Sequence, residues 1–239
     1  MTLQAKKIVV LGGSSGIGLA VAQGAAREGA NVTIVSSNAD RLEAARKTLP
    51  AGAGGQVTDL GTEDAIRGLF QKLGQFDHLV YTAGENLRLA PLDTLDMDWA
   101  RGFFGLRYWG ALMAARYAAP HINEGGSITL TGGSAGQRPQ AGWAIAASIC
   151  SAMEGLTRAL AVELAPLRVN IVSPGVVKSP LWDTMPQAER DALYQQMAAT
   201  LPLKHVGTPE EVAESYLYLM KQSYGTGQRI TVDGGGTLA

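Results

Sequence analysis

Residues 7–18, "KIVVLGGSSGIG", constrain the fold of this chain more than any other stretch. "KIVVL" (7–11) is an apolar, β-branched run that reads as a strand. It passes through Gly12-Gly13-Ser14-Ser15-Gly16-Ile17-Gly18 directly into a helical pattern. A strand that turns through glycines into a helix presents bare backbone N–H groups and the positive end of the helix dipole to one point, an arrangement suited to a diphosphate. Gly12 and Gly16 let the chain approach such a group, and Gly18 lets the helix pack closely on the sheet. Without a strand before it and a helix after it, the same glycine cluster would mark only a turn.

The alternation continues along the chain. Helices are predicted over 16–28, 39–48, 63–73, 97–117, 143–166, 186–200 and 209–220. Between them lie strands at 31–36, 56–60 ("QVTDL", short), 78–84, 127–131 ("SITLT"), 168–175 and 229–235, and the glycine-rich "PAGAGG" (50–55) reads as a loop. The strands are short, rich in Val and Ile, and apolar on both faces, the pattern of a parallel sheet covered by helices on each side. Right-handed crossovers then give a doubly wound α/β sheet of about seven strands. No repeat, low-complexity run or linker interrupts it, so a single domain over 1–239 is expected.

The charge balance alone excludes no partner, but the distribution of charge bears on several. Lys and Arg number 20 against 21 Asp and Glu, and no basic cluster occurs, so neither nucleic acid nor an anionic membrane is expected as a partner. The single cysteine, Cys150, forms no internal disulfide, and no Cys/His spacing resembles a zinc site, which suits a reducing, cytoplasmic setting and a metal-free chain. His78, His121 and His205 form no metal-like constellation. "MTLQAKKIVVLGG" has two lysines followed by only four apolar residues, and no apolar run of about 18 residues occurs later, so no exported or membrane-spanning segment is expected.

The spacing Gly12-x-x-x-Gly16-x-Gly18 resembles that of the short-chain dehydrogenase/reductase family, and further pieces occur in the family's order. "VTDL" (57–60) places Asp59, followed by Leu60, where the family holds the adenine amine. Tyr81-Thr82-Ala83-Gly84 ends as the family's Asn-Asn-Ala-Gly motif ends, with Tyr81 and Thr82 in the asparagine places. Thr131 closes a strand. Pro174-Gly175, Val177 and Ser179-Pro180 fit the loop that receives the nicotinamide amide, and "VDGG" (232–235) fits the C-terminal strand. The resemblance spans the chain and implies a Rossmann fold with a nicotinamide dinucleotide held by these residues and by Gly12, Ser14, Ser15, Gly16, Ile17 and Gly18. It also implies a small-molecule substrate and a homodimer or homotetramer formed through the long helices. Residues 180–205 would form a substrate lid. There Leu181, Trp182, Met185, Leu193, Tyr194, Met197 and Leu201 point to an apolar substrate or, at helical spacing, simply to core.

The end of the second strand bears on which cofactor. An acid there would accept hydrogen bonds from a ribose 2′-hydroxyl and repel a 2′-phosphate. The residues are instead Ser36, Ser37 and Asn38, with Arg41 one turn on, and together with Ser14 and Ser15 they favour NADP(H) over NAD(H). The same letters also read as a turn and a helix cap, and Asp40 dilutes the argument.

The catalytic half departs from the family. There a tyrosine gives a proton to the carbonyl oxygen, and a lysine four residues later binds the nicotinamide ribose and lowers the tyrosine pKa. A serine and an asparagine complete the set. Anchored on "MEGLTRALA" (153–161), the tyrosine and lysine positions fall on Ala146 and Cys150; anchored on "AAS" (146–148), they fall on Ile145 and Ile149. The serine position falls on Gly133 or Gly132, beside Ser134, and the asparagine position on Arg107. Loss of general acid–base help is worth about 10²–10⁴ in rate. As replacements, Ser134 either donates to a substrate oxygen or shapes a glycine turn, and Arg107 either stabilises an oxyanion, clamps a carboxylate or snorkels from its helix. Tyr81 and Glu85 read as packing or loop residues and Cys150 as a small buried hydrophobe. Three functions follow: an atypical NADP(H)-dependent oxidoreductase, a cofactor-binding protein without turnover (a sensor or partner subunit), or non-redox chemistry on the same scaffold.

Overall fold

In the computed structural model, which describes residues 2–239, the strands are β1 Lys7–Leu11, β2 Asn31–Ser36, β3 Gly54–Val57, β4 Phe76–Tyr81, β5 Ile122–Thr131, β6 Arg168–Pro174 and β7 Arg229–Val232. They form one parallel sheet in the order β3-β2-β1-β4-β5-β6-β7. The helices are α1 Gly16–Arg27, α2 Ala39–Arg46, α3 Glu63–Leu73, α4 Met97–Phe104, α5 Ala111–Ala118, α6 Ala144–Glu163, α7 Gln187–Thr200 and α8 Pro209–Lys221.

The strands are mainly apolar where both faces are covered, although β4, β5 and β6 also bury polar side chains such as His78, Thr129 and Asn170. In β1, Ile8 and Val10 pack into a core with α1, α2 and α8, while Val9 and Leu11 pack into the opposite core with α3, α5 and α6. The doubly wound single domain expected from the sequence is the observed architecture. Helix α6 is apolar and long enough, by length and composition, to cross a membrane; here Met153, Leu156 and Leu160 are buried against the sheet.

Three local expectations are corrected. The third strand begins at Gly54, inside the stretch read as a loop, and ends at Val57. Gly54 fits the edge because the Thr33 side chain of β2 fills its place: a Cβ there would come 2.6 Å from Thr33 Oγ1. Residues 58–60 leave the sheet, and Asp59 Oδ1 accepts from Gly61 N at 2.9 Å. The long helix predicted over 97–117 is continuous but changes to π geometry between α4 and α5, over Gly105–Gly110, where the Tyr81 hydroxyl donates to Leu106 O at 2.6 Å. Strand β5 extends back to Ile122 with an irregular register against β4.

Candidate active site

The chain crosses from one side of the sheet to the other between β1 and β4, and at such a switch point a crevice opens at the strands' C-terminal ends. A cleft of about 380 Å³ runs there from the end of β2 to the end of β6. Its floor is the glycine turn. Gly12 has φ +84°, and a Cβ on it would come 2.6 Å from Ala83 N; a Cβ on Gly18 would overlap Gly12 O and Thr82 Oγ1. The Thr82 hydroxyl fastens the turn, donating to Leu11 O at 3.0 Å and Gly12 O at 3.3 Å. No side chain caps α1 and no acid lies in its first turn, so Gly16, Ile17 and Gly18 bring unclaimed helix-terminal N–H groups to the cleft wall. These are features that fit a diphosphate.

At the β2 end, Ser14 Oγ donates to Ser36 Oγ at 3.0 Å, and Ser36 Oγ also accepts from Asn38 N at 3.2 Å. Ser15, Ser37 and Arg41 line the same end, with Asp59 and Leu60 also in the wall. Asn38 instead caps α2, its Oδ1 accepting from Arg41 N at 2.8 Å, and it does not line the cleft. Thr82, Ala83, Gly84, Thr131, Pro174, Gly175, Val177 and Ser179 all line the cleft at the ends of β4, β5 and β6.

The far half contains Ala146, Ile149 and Cys150, three of the four residues that the sequence reading set against the family's tyrosine and lysine. Ala146 is buried to 7% exposure and carries no polar side-chain atom. Cys150 sits one turn on; a Cβ on Gly133 would come 2.8 Å from its Sγ. Burial pushes the Cys150 thiol up to about 11, so it is neutral at pH 7 and is no stand-in for an ammonium. Ser134 opens a short 3₁₀ turn, its carbonyl accepting from Gln137 N at 3.0 Å; the residue lines the cleft, and its hydroxyl has no protein partner. Arg138, Gln140 and Trp143 line this half too, although segment 137–143 has no periodicity that singles them out in sequence.

Arg107 projects from the π turn. Its guanidinium lies 4.7 Å from the Phe103 ring centroid, Nη2 donates to Glu85 O, and Nε stands 3.7 Å from Glu85 Oε2. Burial lowers its pKa and the Glu85 carboxylate opposes the shift; a guanidinium stays cationic. Glu85 lies outside the cleft wall, and Tyr81 is a core residue at 1% exposure. His78 is buried against Ser127 Oγ at 2.9 Å, burial pushing its pKa down to about 4, and His205 pairs with Glu211 at 2.9 Å. Among the described residues no group of His, Cys, Asp and Glu is arranged to hold a metal ion.

Over the mouth, Leu181, Trp182, Met197 and Leu201 line the cleft, whereas Met185, Leu193 and Tyr194 do not. Trp182 is anchored by Nε1 donating to Val177 O at 3.0 Å, and Leu87 N donates to Leu181 O at 3.2 Å, tying the loop after β4 to the segment before α7. Helix α7 has no fully buried residue, so its apolar side chains do not supply the core.

Residues 2–239 match the family model for the SDR-like Rossmann domain. The chain belongs to the short-chain dehydrogenase/reductase family. This short-chain dehydrogenase/reductase is 34% identical to the short-chain dehydrogenase/reductase ATR9 of Stachybotrys chlorohalonatus, with 99% of each chain covered. Among solved structures it is similar to a small-chain dehydrogenase in complex with NADPH, at 36% identity and a TM-score of 0.88, covering 99% of this chain and 100% of the other. It is also similar to the MalC reductase/Diels–Alderase from Malbranchea aurantiaca, at 30% identity and a TM-score of 0.90, covering 99% and 98%.

Proposed function

We propose that this short-chain dehydrogenase/reductase is an NADP(H)-dependent oxidoreductase acting on an apolar carbonyl or alcohol, with proton delivery that does not use the family tyrosine. The observation that carries the reading is the unbroken cleft wall from Ser36 through the uncapped start of α1 to the end of β6. The nicotinamide, when bound, supplies or takes the hydride. The chain's own residues must orient the substrate and answer for the proton. Ser134 offers an unclaimed hydroxyl in the substrate half and donates to the substrate oxygen, with water at the open mouth completing the transfer. Residues 180–205 form the lid, with Leu181, Trp182, Met197 and Leu201 meeting an apolar substrate.

The test is a panel of aliphatic, aromatic and conjugated carbonyls with NADPH, and of alcohols with NADP⁺, followed by nicotinamide absorbance. Ser134→Ala is expected to lower kcat about 100-fold to 1000-fold, the scale of one donor to a developing oxyanion, with cofactor affinity unchanged. Unchanged kcat would remove Ser134 from the mechanism. Tight NADPH binding with no turnover on any substrate would favour the second reading, a binding protein without catalysis, which Ala146 and the neutral Cys150 support. Because the Malbranchea structure's name joins a reductase to a Diels–Alderase, product analysis accompanies the absorbance assay.

The preference for NADP(H) rests on Ser36, Ser37 and Arg41 offering neutral hydroxyls and a cation where a 2′-phosphate would lie, and on a similar structure holding NADPH. Ser36→Asp puts a carboxylate in that place. It is expected to shift the NADPH-to-NADH affinity ratio about 10-fold to 100-fold toward NADH, through repulsion of the phosphate and acceptance of the ribose diol. Equal titration curves for wild type and variant with both cofactors would refute the assignment. The same reading places the protein in the cytoplasm, as its lone cysteine suits, and in a homodimer or homotetramer, where Met97, Trp109 and Val162, 55%, 56% and 81% exposed on the two long helical segments, offer apolar surface.

A further inference from the structure

Arg107 is more closely braced than a surface arginine and less fully satisfied than a structural one. Phe103 covers its guanidinium, the Glu85 carboxylate stands behind it, and Gly84 lies against it so closely that a Cβ there would come 2.6 Å from Cζ. Of its five N–H donors one on Nη2 has a protein acceptor, Glu85 O, and Nε is buried facing Glu85 Oε2 at 3.7 Å; the donors on Nη1 and the second on Nη2 have no protein acceptor. Guanidinium donors left unmatched and held at a cleft wall point to a ligand.

Position selects which part of the ligand. Gly12, in the turn that fits a diphosphate, packs on Ala83, and Arg107 packs on the next residue, Gly84. With the adenosine ribose at Ser36 on the β2 side, the other nucleoside must cross toward β4, and the unit bonded directly to the diphosphate on that side is its ribose. Ser134 and Ala146, where substrate would meet the nicotinamide, belong to the end of β5 and the start of α6. Glu85, 3.7 Å from Nε, also disfavours a second carboxylate here, whereas a neutral diol accepts from the guanidinium without that repulsion.

We propose that Arg107 holds the hydroxyls of the nicotinamide-side ribose and is therefore a cofactor-positioning residue rather than a clamp for substrate. The assignment rests on the dinucleotide reading above. It also explains how the cofactor half of the cleft keeps a cation although position 150 is a cysteine: the charge comes from the π turn rather than from α6.

Calorimetric titration of three probes tests it: NADPH, 2′-phospho-ADP-ribose, which keeps the second ribose without nicotinamide, and 2′,5′-ADP, which lacks both. Arg107→Met is expected to weaken the first two by a similar factor, about 10-fold to 100-fold, the scale of hydrogen bonds from a charged donor, and to leave 2′,5′-ADP unchanged. Retained 2′,5′-ADP binding shows that the cleft is folded. The double variant Arg107→Met with Glu85→Gln, which leaves no unpaired carboxylate, is expected to show the same pattern. NADPH and 2′-phospho-ADP-ribose binding as tightly as in wild type overturns the assignment, as does a parallel loss of all three probes in both variants. Failure of wild type to bind any probe overturns the dinucleotide reading itself, an outcome distinct from either.

Discussion

Gly18→Val is expected to cut NADPH affinity by more than about 100-fold, the largest loss any single substitution in the cofactor half should cause. A Cβ at this position overlaps Gly12 O and Thr82 Oγ1, which are backbone and a hydrogen-bonded hydroxyl rather than the free end of a flexible side chain. Helix α1 must therefore move away from the turn, and its first N–H groups leave the point on which they converge. Each hydrogen bond to a charged group is worth about 1.5–3 kcal/mol, so losing two costs about 3–6 kcal/mol, or roughly 10²-fold to 10⁴-fold in affinity. Overpacking costs the fold about 1–3 kcal/mol, so the variant should remain native with a lowered melting temperature. Gly68→Ala is the control. It lies in α3 with nothing near its added Cβ, so it should gain up to about 1 kcal/mol of helix stability and bind NADPH as wild type does. Fluorescence titration beside a thermal melt reads both variants, and Gly18→Val binding within about threefold of wild type would show that the turn does not grip the diphosphate.

The same contacts explain why this half of the molecule can be read from its letters. A glycine in a place where any Cβ would strike backbone admits no substitute, so Gly12 and Gly18 stand in the sequence as an imprint of the turn they make. The alternating cores of β1 are legible for a similar reason, since Ile8, Val9, Val10 and Leu11 alternate between two apolar cores that cover both faces of the strand. What escapes such a reading is held by partners distant in sequence. Nothing local to 105–110 announces a π turn, because the hydroxyl that engages Leu106 O belongs to Tyr81 in β4. Glu85 reads as a loop residue, and only the fold brings it behind Arg107. Gly54 and Gly55 read as loop because the side chain that fills the space beside Gly54 at the edge strand is Thr33, on β2. Asn38 is ambiguous by its chemistry: a polar side chain after a strand serves a ribose or a helix N-terminus equally well, and here it caps α2.

A variant that returns tyrosine to 146, lysine to 150 and asparagine to 107 is expected to reduce carbonyls about 10²-fold to 10⁴-fold faster than wild type, the range that general acid–base help supplies. The three changes are coupled by charge. Cys150→Lys alone brings an ammonium toward the cationic Arg107 and is expected to destabilise the fold, since α6 packs against the π turn that carries Arg107. Arg107→Asn removes that repulsion; Glu85, with its side chain 40% exposed, can turn to water when its partner goes. Ala146→Tyr then places a phenol in the cleft wall one helical turn before an ammonium, which favours the phenolate and lowers its pKa. Tyrosine alone, beside a neutral thiol, lacks that lowering and should give little. Turnover of the same carbonyl panel with NADPH measures the gain, and a triple variant within about threefold of wild type would show that position 146 does not face the reacting carbonyl. Cofactor affinity provides a second readout on the same protein. If the ammonium at 150 takes back the ribose that Arg107 holds, the triple variant keeps NADPH affinity within about threefold of wild type, although it lacks the arginine whose removal alone weakens binding.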